Sequence, residues 1–72
     1  MVFEKERADA ALEIAEVYAK LDTLAEHLEA LDALLVGCAE YDDAHKYAQR
    51  ASAIYRAQAT LQPIMEAMGN EH

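Results

Sequence analysis

Residues 10–35 read "AALEIAEVYAKLDTLAEHLEALDALL", and the spacing of their apolar side chains decides the fold. Ala10, Ile14, Val17, Leu21, Leu24, Leu28, Leu31 and Leu35 follow one another at alternating steps of four and three residues. Side chains at that interval stay on one face of an α-helix, so the stretch predicts a helix packed along its length on another helix. Upstream, Glu4 and Glu6 suit the positive end of the helix dipole, and downstream Gly37 is placed to end the helix in the left-handed conformation. The first helix is expected over about residues 3–36, roughly 50 Å at 1.5 Å per residue.

The same interval returns in the second arm. Ala44, Tyr47, Ala51, Ile54, Gln58, Leu61, Met65 and Met68 are spaced by three and four, and Gly69 with Asn70 supplies a stop, giving a second helix over about 42–68. If the chain folds back between the arms, partners across an antiparallel pair have residue numbers with a nearly constant sum. Leu35 with Ala44, Leu31 with Tyr47, Leu28 with Ala51, Leu24 with Ile54, Leu21 with Gln58, Val17 with Leu61, Ile14 with Met65 and Ala10 with Met68 sum alternately to 79 and 78. The expected fold is all-α: an antiparallel two-helix hairpin forming a single domain over residues 1–72.

Two residues interrupt the second arm. Gln58 puts an amide in an apolar layer, and it is expected at the edge of the seam, where it reaches water. Pro63 lacks a backbone donor and crowds the carbonyl of Ala59, so the helix is expected to kink or restart there.

A chain of 72 residues is close to the size at which one core yields only ~3–5 kcal/mol. A single cysteine makes no internal disulfide, and neither a cleavable signal nor a long uncharged apolar run is evident, which favours a reducing cytoplasmic setting and no membrane partner. Fourteen acids against six bases, net −8, argue against direct contact with nucleic acid, which needs excess Lys and Arg to neutralise phosphate. The acids concentrate in the first arm, while residues 44–65 carry Lys46, Arg50 and Arg56 and no acid. Antiparallel arms of this kind attract, at ~0–1 kcal/mol per exposed pair.

One seam does not consume the apolar residues available. Leu12, Tyr18, Leu34, Val36, Tyr55 and Ile64 lie outside the eight layers, so a homodimeric four-helix bundle is expected. The competing use of that surface is a face for another protein, anchored by Tyr18, Tyr55, Ile64, Met65 and Met68. Glu16, Asp22, Glu26 and Glu29 form an acidic outer face, read first as solvated and second as an electrostatic docking site for a basic protein.

The turn, "VGCAEYDDAHKY" at 36–47, gathers the residues most suggestive of chemistry. Asp42 and His45 place two possible metal ligands one helical turn apart, and Cys38 with His45 offers a thiol and a base. Neither set has the remaining ligands or the orienting group that such sites need, so no metal, cofactor or catalytic residue is assigned. Structural roles account for the cluster: Asp42 or Asp43 capping the second helix, Tyr41 and Tyr47 covering the open end, and Cys38 acting as a small apolar residue.

In length and plan the hairpin resembles the Rop family, whose two-helix chains dimerise into four-helix bundles; it lacks that family's basic face, and RNA binding is not implied. It also looks like the small co-chaperones of type III secretion needle subunits, with "DAHKY" at 43–47 as the local likeness, and shares its architecture with small phage-encoded inhibitors of host proteins. The expected function is that of a non-enzymatic protein-binding module that masks, chaperones or inhibits a partner. The alternative is an acidic mimic of nucleic acid that blocks a basic surface.

Overall fold

A computed structural model of the chain describes residues 2–70. Two helices account for nearly all of them, α1 (Glu4–Gly37) and α2 (Tyr41–Gly69), packed on each other as a hairpin. Each end lies one residue from its expected position. The molecule is a rod of 57 × 15 × 12 Å, with a radius of gyration of 16.6 Å. A compact chain of this length has a radius near 11 Å, so most side chains have no neighbour beyond the one opposing helix.

The tight connection corrects two expectations. Gly37 remains helical, and the left-handed residue is Ala39, at φ 61°. That conformation lets the Glu40 amide donate to the Leu35 carbonyl at 2.9 Å, while the Cys38 amide donates to the carbonyls of Leu34 and Leu35. The residue preceding α2 is Glu40, with no side-chain hydrogen bond, and Asp42 and Asp43 lie inside the first turn. They act there through the helix dipole instead of as caps. Phe3 takes a left-handed conformation before α1, and its carbonyl accepts the Arg7 amide.

Pro63 does not break α2. Both it and Ala59, whose carbonyl loses its helical donor, are exposed, so the freed oxygen is open to solvent.

The seam itself is half as expected. All eight positions read for α2 are buried or half-buried. In α1, Ile14, Leu21, Leu28 and Leu35 face the partner helix, but the intervening positions are Ala11, Tyr18, Ala25 and Asp32 in place of Ala10, Val17, Leu24 and Leu31. The helix is turned by part of a residue step, and Tyr18 enters the seam from which the sequence had excluded it. With these residues every layer, from Ala11 with Met68 to Leu35 with Ala44, sums to 79. The turn places a small side chain opposite a large one at Ala25 with Ile54, where the expected layer set Leu24 against Ile54, and keeps alanine opposite Met68, with Ala11 in place of Ala10. Among the described residues only Ala25, Ala44, Ala51 and Gln58 are buried, and no large side chain is wholly enclosed.

The turn geometry favours opposite exchanges at two neighbouring positions, alanine for glycine at 37 and glycine for alanine at 39. A Cβ on Gly37 meets nothing within 4 Å, so Gly37→Ala should raise stability by about 0.5–1 kcal/mol through helix propensity. Ala39→Gly should also stabilise, by about 1 kcal/mol, by removing the left-handed strain on a Cβ-bearing residue. Urea unfolding at one fixed protein concentration measures both.

Candidate interaction surface

Helix rows flanking the seam form the two long edges of the hairpin. The edges differ in chemistry. On one, α1 contributes the row Ala15, Asp22, Glu29 and Val36, and α2 the row Tyr41, Ala48, Tyr55 and Gln62. Two hydrogen bonds join the helices on this side: the Tyr55 hydroxyl donates to Glu29 Oε1 at 2.6 Å, and Gln58 Nε2 donates to Asp22 Oδ1 at 3.5 Å. The Gln58 amide also donates to the Tyr18 carbonyl at 3.3 Å. Gln58 is therefore no edge residue reaching water: it is 5% exposed, and its amide is satisfied by α1.

Glu29, Asp22 and Glu26 surround Tyr55, and the hydrogen bond to Glu29 with the neighbouring negative charge pushes the phenol up to about 12. Losing the proton there would place a fourth negative charge among three carboxylates. Glu16, the remaining member of the acidic face, is exposed on the outer side of α1. Two cations of α2 are engaged within that helix: Lys46 pairs with Asp43 at 3.5 Å and the Arg50 guanidinium lies 5.0 Å from the centroid of the Tyr47 ring.

The opposite edge is apolar along α1, where its row is Ala10, Val17, Leu24 and Leu31, the residues expected in the seam; its α2 row is Asp43, Arg50, Ala57 and Ile64, apolar in the half towards the C-terminal end of α2. Val17, Leu24 and Leu31 are 47%, 42% and 41% exposed, and Ile64 is 46% exposed. Of the residues expected to anchor a partner, Ile64 lies on this edge and Tyr55 on the acidic one, while Tyr18, Met65 and Met68 are half-buried in the seam. The outward row was missed because Ala10/Ala11, Val17/Tyr18, Leu24/Ala25 and Leu31/Asp32 are adjacent in sequence, and either row completes a heptad with Ile14, Leu21, Leu28 and Leu35. The signal available was a third apolar row on a helix assigned a single neighbour.

At the hairpin tip the residues do not converge. Cys38 and His45 are exposed, as is Tyr41, which leaves only Tyr47 of the two tyrosines partly covering the end of the seam. Among the described residues no group of three or more His, Cys, Asp or Glu is disposed to hold a metal ion, and no helix is long and apolar enough to cross a membrane.

The two interhelical hydrogen-bond donors yield separate tests. Gln58→Ala should cost about 1–3 kcal/mol from lost hydrogen bonds and an unfilled layer. Gln58→Leu should lie within about 1 kcal/mol of the parent, because neither acceptor is stranded: the Tyr18 carbonyl stays within the α1 ladder and Asp22 is exposed. For Tyr55, the folded phenol is raised from the ordinary 10.0. Its contribution to stability is thus full below pH 10 and is lost as pH rises towards about 12. In an absorbance titration of the folded chain, Tyr55→Phe should remove a phenolate component with its midpoint near 12.

Comparison of the chain with family models, with characterised proteins and with solved structures finds no match.

Proposed function

We propose that this chain is a non-enzymatic protein-binding module that completes its own packing against further helices, in a four-helix arrangement, and by doing so masks, chaperones or inhibits a partner protein. The observation that carries this reading is the outward row Val17, Leu24 and Leu31, continued by Ile64 on α2. Fully burying such a side chain is worth ~1.5–3 kcal/mol, and here about half of that is unrealised in each. An amphipathic helix face laid against another helix is the contact that recovers it. The single free cysteine suits action in the reducing cytoplasm.

The acidic edge supports the second reading, electrostatic docking on a basic protein through Glu16, Asp22, Glu26 and Glu29. Asp22 and Glu29 already accept hydrogen bonds from α2, which lowers their availability, and the apolar reading is preferred on that ground. Affinity capture from the source cell separates the two. Helix-on-helix recognition predicts a complex that survives roughly 0.5 M salt, where exposed charges are screened beyond a few ångströms, and that Leu24→Glu weakens at least about tenfold. A complex lost at that salt and abolished by Glu16→Gln with Glu26→Gln would transfer the function to the acidic edge.

A further inference from the structure

We infer that the occupant of the apolar edge is a second copy of this chain, which docks Val17, Leu24 and Leu31 of α1 with Ala57 and Ile64 of α2 onto the same residues of its partner. The inference rests on the reading of the chain as a helix-binding module and names what the apolar face binds.

Area is the first argument. The chain exposes 5351 Å². A compact monomer of 8.0 kDa exposes roughly 4,450 Å² by the scaling of surface with mass. The excess of about 900 Å² is close to the ~800 Å² that each partner buries in a stable interface of standard size. It is what a rod one helix pair thick leaves uncovered and a bundle two pairs thick encloses.

Side-chain size is the second. Beside Ile14, Leu21, Leu28 and Leu35, α1 turns the row Ala11, Tyr18, Ala25 and Asp32 to its own hairpin partner, two of its four residues being alanines. The larger row, Val17, Leu24 and Leu31, faces outward. A helix with a single neighbour gains most by burying the larger row, whereas a helix in a four-helix bundle has two neighbours and a flank for each. Alanines at positions 10, 53 and 57 along the same edge admit close approach of a second backbone.

Charge chooses the occupant. At −8, two copies repel in general, and through the acidic edge they would set Asp22, Glu26 and Glu29 against their own equivalents. The apolar edge is balanced. The charged residues in and beside its rows are Glu6, Glu13 and Asp43 against Lys20, Lys46 and Arg50, three of each sign. An isologous pair brings each patch onto its own copy, so a face of zero net charge is the one through which this acidic chain associates with itself without a like-charge penalty.

The test is the mass of the purified chain, by light scattering coupled to size exclusion across a dilution series, with helicity followed by circular dichroism. The parent should run at twice 8.0 kDa. Leu24→Glu and Ala57→Arg, on different helices of the same edge, should each run at 8.0 kDa with helicity retained at concentrations where the parent is dimeric. Leu12→Glu and Ala59→Arg, exposed and away from that edge, should remain dimeric. If Leu24→Glu loses its helicity, Ala57→Arg decides alone. A parent that is a folded monomer throughout the series overturns the second-copy inference but leaves the module reading to the capture experiment. A dimer that persists in both edge variants overturns the assignment of the face.

Discussion

Gln58 is a polar side chain in the middle of a helix pair, and its hydrogen bonds constrain how the pair is assembled. The amide is buried, and it is satisfied because α1 presents the Tyr18 carbonyl and the Asp22 carboxylate to it. Both belong to the flank of α1 that also carries Ala11 and Ala25. A buried amide left without partners costs ~1–3 kcal/mol, comparable to the gain from burying one large apolar side chain. Turning that flank inward satisfies the amide and turns Val17, Leu24 and Leu31 outward. The polar layer, the alanine-rich seam and the apolar outer row are therefore consequences of one rotational setting of α1.

That setting gives the hairpin a thin interior. Among the described residues three alanines and a glutamine are buried, and the larger seam side chains are covered on one side only. Small opposing side chains allow close packing and a sharply defined register, yet they remove little apolar area from water per residue. The two helices specify how they meet more strongly than they stabilise the meeting. The apolar edge is where the uncovered Leu24 and Leu31 lie, and the proposed packing against further helices would cover them.

The other edge has a different role in the molecule. Asp22, Glu26 and Glu29 are usually read as a solvated stripe, but two of them receive hydrogen bonds from α2, and together they hold the Tyr55 phenol protonated to about 12. The acids thereby help to fix the interhelical register on one side, and the apolar side carries no interhelical hydrogen bond among those described. At the tip, the adjacent aspartates act on the helix dipole and Ala39 makes the reversal of direction, so the most site-like run of the sequence is occupied with turning the chain.

Local sequence determined what depends on periodicity. Heptad spacing in each arm set the two helices to within a residue at each end, and the near-constant sum set the fold-back and the antiparallel register. The whole α2 seam was legible for the same reason, because α2 has one apolar row at that spacing. α1 has two alternative rows beside its common leucines, and spacing alone gives them equal standing. Only the opposing helix chooses between them, through the fit of Ala25 against Ile54 and the need of Gln58 for Tyr18 and Asp22. The left-handed residue of the turn was misplaced on similar grounds: glycine tolerates that conformation most readily, but the geometry of a three-residue connection assigned it to Ala39. What a residue prefers is written in its own chemistry, whereas which preference is honoured depends on the neighbours that the tertiary structure brings to it.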